Sequence, residues 1–344
     1  MRIAGARHLR RLLFIRTDRL GETLLNLPAV AALQAALPES AISLLVDPGL
    51  EPLLSGLTGP SGVLALPAQV RGSWPVRAWR LSRFLVRRRF DCAIVSNPQK
   101  ELHAAIRLAG IPVRVGYARK WGCLLTHRVE DRKALGDRHE VEYNFTLIRA
   151  LGLPATLRPW RFPPFSREQA EIAGLPELRG LQSSEPLVAV HPFSSTPQKR
   201  WPAERYRELI RRLNGRAGVR VVVVGGAEER WETAAVVPPD RPVANLVGRL
   251  TLRQLAALLQ RARLLVSNDS GPVHLAAAVG TRVVALFGSS HPATGPKRWG
   301  PWGEGHAVIV RPHLTDITVE DVEEIVRRLL DPLPISDTLS RESS

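Results

Sequence analysis

The sequence predicts an α/β protein built on two doubly wound parallel sheets. Short apolar runs alternate with stretches of helical periodicity, the signature of strands joined by crossover helices. That alternation is interrupted once, across the proline-rich passage Leu153 to Pro186, and then restarts. Polar, glycine-containing loops follow several apolar runs, at the edge where parallel sheets bind ligands. A length of 344 residues suffices for two domains of ordinary size.

In the first half, Leu12 to Ile15 reads as a strand leading into the polar loop from Thr17. The spacing of Leu24, Leu27, Val30, Ala31, Leu33 and Leu37 predicts a helix from about Thr23 that stops before Pro38. Further strands are expected at Ile42 to Val46, Val63 to Leu66, Cys92 to Val95 and Val113 to Tyr117, and further helices at Trp74 to Phe90, Glu101 to Leu108 and about His139 to Leu151. The Trp74 to Phe90 helix sets Trp79, Leu81, Phe84 and Leu85 among Arg77, Arg80, Arg83, Arg87, Arg88 and Arg89. Its basic face suits an anionic membrane or acceptor, or is simply solvated. These elements give an N-terminal domain over 1–153 and a linker over 154–186 holding at most one short helix, Arg167 to Ala173.

The second domain is expected over 187–334, with a polar tail over 335–344. Its strands are Val188 to Val190, Val221 to Val224, a run from Leu264, Val283 to Phe287 and Val308 to Val310. Helices are expected at Ala203 to Leu213, Glu228 to Val236, Leu252 to Ala262, a stretch including His274 to Val279, and Val319 to Leu330.

Hydrophobic residues at 44% and charged residues at 23% exclude wholesale disorder. The formal charge of +16 favours polyanionic partners: nucleic acid, an anionic membrane face or a phosphorylated glycolipid. Cys92 and Cys123 make neither a disulfide framework nor a metal-ligand spacing, which fits a reducing cytoplasm. No apolar run approaches the roughly 20 residues of a membrane helix, and Arg10, Arg11 and Arg16 interrupt any signal-peptide core. No G-x-G-x-x-G follows a strand, which argues against a dinucleotide oxidoreductase.

The stretch Leu264 to Pro301 organises the rest. Its first apolar run ends in Ser267, Asn268, Asp269, Ser270 and Gly271 and leads into a small-faced helix. Backbone N–H groups of Ser270, Gly271 and Val273 in a first helical turn lack intrahelical acceptors and lie at the positive end of the dipole, which suits a diphosphate. The alternative is that Asp269 or Ser270 merely caps the helix, worth roughly 1 kcal/mol.

Ser267 to Ala278, followed by Val284-Ala285-Leu286-Phe287-Gly288, resembles the nucleotide-sugar signature of glycosyltransferase family 9, the ADP-heptose:lipopolysaccharide heptosyltransferases. The resemblance spans nearly the whole chain and implies a GT-B architecture, two Rossmann-like domains facing across a cleft. It implies an inverting, metal-independent transfer of a heptose or similar sugar from an ADP-sugar to a lipopolysaccharide-core-like glycolipid, with no cofactor and no nucleic acid partner. A cytoplasmic location, with peripheral contact to the anionic inner membrane, goes with it. His191 to Pro202 resembles the family's diphosphate segment, with Ser194 and Ser195 as hydroxyl donors and Lys199 as the cation. Arg16 to Glu22, then Leu27-Pro28-Ala29, resembles the N-terminal motif whose acid after the glycine is an aspartate acting as base; this chain has Glu22 there, with Asp18 as the fallback. Asp269 belongs beside the diphosphate and sugar. His274 is expected to be packed and hydrogen-bonded rather than catalytic, and Glu228, at another strand end, is the candidate for ribose.

Other readings remain open on the sequence: a sugar-nucleotide epimerase of the same architecture, a sugar-nucleotide-binding member without turnover, or a basic protein that binds nucleic acid.

Overall fold

The computed structural model describes residues 8–55, 57, 62–179, 185–216, 218–289 and 291–330. The expected tail over 335–344 lies outside them. The first apolar runs form β1 (Arg11–Ile15), β2 (Ala41–Val46), β3 (Val63–Ala65), β4 (Cys92–Val95), β5 (Val113–Tyr117) and β6 (His127–Val129). They pair in parallel in the order β3-β2-β1-β4-β5-β6. Their helices are α1 (Leu20–Leu24), α2 (Leu27–Ala36), α3 (Glu51–Leu54), α4 (Trp74–Val86), α5 (Lys100–Leu108) and α6 (Glu140–Arg149). After α7 (Ser166–Ala173) comes a second parallel sheet of β7 (Leu187–His191), β8 (Arg220–Val223), β9 (Ala244–Asn245), β10 (Leu264–Asn268), β11 (Arg282–Phe287) and β12 (Ala307–Val310). Its order is β12-β11-β10-β7-β8-β9. Around it lie α8 (Ala203–Asn214), α9 (Thr233–Val236), α10 (Leu252–Arg261), α11 (Gly271–Val279), α12 (Pro296–Trp299) and α13 (Val319–Leu330).

The two orders are the same doubly wound pattern used twice. In each sheet the strand order reverses beside the first strand, between β1 and β4 and between β7 and β10. Crossovers leave on opposite faces there, so a crevice opens at the carboxyl ends of those strands. Both faces of each sheet are covered. Accordingly the central strands are buried along almost their whole length, as continuous apolar runs in parallel sheets should be.

The helix expected from Thr23 is two helices. Asn26 intervenes, its side-chain amide donating to the Glu22 carbonyl at 2.6 Å, while Pro28 enters the first turn of α2, where its missing N–H costs nothing. The Trp74 helix stops at Val86, and Arg89 beyond it takes a φ of 49°. Residues expected in one helix from Glu228 fold first as a 3-10 segment, Ala227–Glu232, before α9. In the expected linker, α7 packs on α10, and Phe165 N donates to Gln260 Oε1 at 3.0 Å.

Contacts that join the two lobes beside the crevices include the following. Arg298 Nε reaches Glu140 Oε2 at 2.9 Å. His139 accepts Val141 N–H at Nδ1, 3.2 Å, so Nε2 carries the proton it gives to the Gly300 carbonyl at 3.0 Å. The third is α1 against α11.

Fully buried Asn268, the last residue of β10, ties the second crevice together. Its Oδ1 accepts from Trp201 N at 2.9 Å and Tyr206 Oη at 3.0 Å, and its Nδ2 donates to the Pro192 carbonyl at 2.8 Å. Asn268→Ala strands three buried polar groups, and we expect it to destabilise the protein by about 3 kcal/mol in urea unfolding. A loss below about 1 kcal/mol would show that the loop does not depend on this side chain.

Candidate functional site

At the second crevice, the loop after β7 and the turn after β10 meet. Lys199 Nζ forms an ion pair with Asp269 Oδ2. Asp269 is nearly buried, while two-fifths of the Lys199 side chain stays exposed. Burial pushes the Asp269 carboxyl above its ordinary value, with Lys199 pulling the other way. Arg200 fixes the loop that carries the lysine, donating through Nε to the Ser194 carbonyl at 2.7 Å and pairing with Glu232 at 2.5 Å.

The turn itself keeps donors available. Ser270 does not cap α11: its Oγ engages Ser267 Oγ at 2.9 Å and lies 3.3 Å from His191 Nδ1. Asp269 is occupied by Lys199, so the capping alternative fails for both side chains. Val273 departs from expectation, because its N–H donates to the Ser270 carbonyl at 3.1 Å. That leaves Ser270 and Gly271 N–H without a protein acceptor among the described residues, at the positive end of a nine-residue helix. Buried Ser194 accepts from Thr196 N at 3.3 Å and keeps its own proton to give, and Ser195 is exposed beside it.

Glu228 also departs from expectation. It points to solvent, and the next residue, Glu229, turns inward. Glu229 Oε2 accepts from Gly226 N at 2.7 Å and lies 3.8 Å from His191 Nε2. Burial opposes its charge, but His191 and the Gly226 N–H outweigh that and hold the carboxyl below its ordinary value. Glu229 and His191, at the ends of β8 and β7, are thus the polar groups flanking the turn on its far side. Nothing in the sequence separated Glu229 from Glu228, since a 3-10 start reverses which of two adjacent glutamates faces the sheet.

At the first crevice, Glu22 stands in the first turn of α1, half-buried, its carboxylate without a partner among the described residues. Asp18 is engaged by Arg16 Nε at 2.6 Å. Buried Arg16 also donates to Ser96 Oγ at 3.1 Å and lies 3.8 Å from Glu140. Glu140, 1% exposed, is ringed by Arg16, Lys133 and Arg298. Burial lowers the Lys133 ammonium to about 8 while Glu140 pulls it up; for Glu140 itself the three cations outweigh burial and keep it ionised.

The two crevices face each other through Gly21. A Cβ there would come within 2.6 Å of His274 Cδ2, so only glycine lets α1 close on α11. Leu20 packs on Gly271 alongside. Glu22, the next residue, is thereby brought to the same junction as the Ser270 turn. His274 is packed as expected, but its Nδ1 has no partner among the described residues, and the residue lines a cavity of about 20 Å³, the room of one water.

Comparison with known proteins agrees with this geometry. Residues 78–324 match the family model described as glycosyltransferase family 9 (heptosyltransferase). The chain is 28% identical over 296 residues to lipopolysaccharide heptosyltransferase 2 of Escherichia coli, covering 82% of this chain and 84% of that protein. Among solved structures, E. coli ADP-heptose lipopolysaccharide heptosyltransferase II superposes with a TM-score of 0.77 at 27% identity, covering 93% of this chain and 98% of that one. An E. coli heptosyltransferase solved with ADP shares the fold, at a TM-score of 0.70 and 23% identity, over 93% and 99% of the two chains.

Burial, followed by the charges of His139 and Lys199, lowers His274 from 6.5 to about 3. The folded protein therefore holds it neutral while the unfolded chain takes up a proton below pH 6.5, so stability falls as pH falls. Between pH 7.5 and 5.5 this one group removes about 1.4 kcal/mol. Urea unfolding of the parent and His274→Gln at both pH values should show the variant losing less by about that amount; equal losses would place a proton on native His274.

Proposed function

The chain belongs to glycosyltransferase family 9 and is a glycosyltransferase, and on that premise we propose that it moves a heptose from ADP-heptose to a lipopolysaccharide-core glycolipid. The observation that carries this is the closure of α1, the helix that carries Glu22, on α11, the helix that begins at the Ser270 turn. The printed substrates of similar proteins supply the donor and acceptor classes.

In this reading the donor's diphosphate lies on the N–H groups of Ser270 and Gly271, with the Ser194 and Ser195 hydroxyls beside it. Lys199 swings between Asp269 and the diphosphate and offsets the charge that develops as ADP departs, so no metal ion is required for that task. Once Lys199 turns to the diphosphate, the Asp269 carboxylate is free to accept hydrogen bonds from sugar hydroxyls. Glu229 and His191 face the nucleoside side and take the ribose role expected of Glu228. Glu22 accepts the proton of the acceptor hydroxyl as its oxygen attacks the anomeric carbon from the side opposite the diphosphate. One displacement from that side inverts the configuration. Asp18, held by Arg16, orients the loop rather than taking the proton.

Among the described residues no helix is long and apolar enough to cross a membrane. The outer face of α4 exposes Val76, Trp79 and Val86 between Arg80, Arg83 and Arg87. Such a face suits peripheral contact with the anionic cytoplasmic membrane surface, where the glycolipid would be held. The basic surface is read as meeting lipid and glycan rather than nucleic acid.

Calorimetric titration with ADP, UDP and GDP should show selective ADP binding, weakened about tenfold or more by Lys199→Ala. Selective binding of another nucleotide would discard the ADP-sugar donor, and no binding at all would discard the proposal. Glu22→Gln should leave ADP affinity unchanged and lower kcat for ADP release from ADP-heptose by roughly 10²- to 10⁴-fold. Undiminished kcat would remove Glu22 as base.

A further inference from the structure

The loops after β4 and β5 carry a cluster that neither the donor turn nor Glu22 explains. Lys120 and Trp121 are consecutive non-glycine residues in left-handed backbone, with φ of 41° and 69°. Side chains avoid this conformation unless the surroundings impose it. Here His103 of α5, wholly buried, imposes it by donating from Nδ1 to the Lys120 carbonyl at 2.9 Å. The outcome is that Trp121 stands 48% exposed.

Trp121 is braced. Trp74, at the start of α4, meets it edge to face, with ring centres 4.7 Å apart at 73°. The same Trp74 ring holds the Lys100 ammonium 4.9 Å from its centre. Neighbouring Glu101 pairs with Arg77 at 2.5 Å and also feels the Lys100 charge. Lys120 is exposed on the other side of the turn.

An exposed indole face offers a stacking surface for the C–H bonds of a sugar ring, because the ring face is electron-rich and those hydrogens are electropositive. Two exposed ammonium groups beside it select a sugar carrying a negative substituent. The place also fits. Lys100 follows β4, the strand next to β1 across the crevice, and Trp121 lies in the loop after β5, one strand further out at the same edge of the sheet.

We propose that Trp121, braced by Trp74 and flanked by Lys100 and Lys120, binds an anionic sugar of the acceptor glycan adjoining the unit that receives the transferred sugar. This rests on the acceptor class proposed above. The negative group is a phosphate or a carboxylate, which present the same chemistry to an ammonium.

The test is calorimetry on the full chain with deacylated inner-core oligosaccharide of lipopolysaccharide, before and after enzymatic dephosphorylation. Trp121→Asn keeps a residue that tolerates left-handed backbone while removing the ring, and Trp121→Phe keeps an aromatic face. We expect Trp121→Asn and Lys100→Gln each to weaken oligosaccharide binding roughly tenfold, Trp121→Phe to retain most of it, and ADP affinity to stay unchanged in all three. If dephosphorylation abolishes the effect of Lys100→Gln, the bound group is a phosphate; if the effect persists, it is a carboxylate. Unchanged oligosaccharide affinity in Trp121→Asn and Lys100→Gln, or none in the parent protein, overturns the proposal. So does loss of co-sedimentation with phosphatidylglycerol vesicles while oligosaccharide affinity is intact, which would make the cluster a lipid contact. Failure of the donor reading is read separately, in the ADP titration.

Discussion

The arrangement depends on one close approach, that of α1 to the first turn of α11 across Gly21. On the proposed function each lobe alone has only half of a reaction site: the Glu22 carboxylate, without a partner among the described residues, in one, and the Ser270 turn with Lys199 in the other. A glycine without Cβ lets the His274 ring lie against the α1 backbone, and the two halves become one junction. The buried imidazole is the cost of this. It stays neutral because no charged ring would be tolerated there, and its Nδ1 is left without a protein partner.

A second constraint sets the angle at which the lobes meet. Glu140 is buried among Arg16 and Lys133 of its own lobe and Arg298 of the other. Buried ion pairs of this kind are poor sources of net stability, because desolvation offsets most of their attraction, but removing one partner leaves an uncompensated charge. Their geometric demand is what matters here. Arg298 reaches Glu140 from the other lobe, and the same Glu140 neighbours Arg16, which holds Asp18 two residues further along the loop to Glu22. Lobe position and loop position are therefore coupled through a single carboxylate.

Much of this was legible in the sequence, and the physical reason differs by element. Strands such as Cys92–Val95 and helix Val319–Leu330 fall where the patterns put them, because a doubly covered parallel strand and an amphipathic surface helix each leave an unmistakable periodicity. Strands β6 and β9 went unread, being three and two residues long at sheet edges with little apolar content. The break between α1 and α2 was hidden because Asn26 and Pro28 sit inside an unbroken leucine spacing. At the site, the identities Lys199 and Asp269 were legible as a motif, but their pairing was not. Contacts such as Glu140 with Lys133 and Arg298 join distant parts of the chain, and no local pattern reports them. The Val273 donor and the Glu228 assignment failed on backbone details of one residue, a scale at which residue type carries no information.

Using the same doubly wound order twice gives two crevices, yet they are chemically opposite. At the β7–β10 reversal the chain supplies backbone N–H groups, hydroxyls and a lysine, all suited to a leaving group that gains negative charge. At the β1–β4 reversal it supplies a carboxylate, and the one buried arginine of that loop, Arg16, has its own needs met by Asp18, Glu140 and Ser96. Positive charge not satisfied internally lies further out, on α4 and the loops after β4 and β5. With Arg16 paired internally, Glu22 has no partner among the described residues, while the α4 arginines Arg80 and Arg83 lie exposed on the same lobe. On the proposed function this separation lets one lobe both attract an anionic acceptor and take a proton from it.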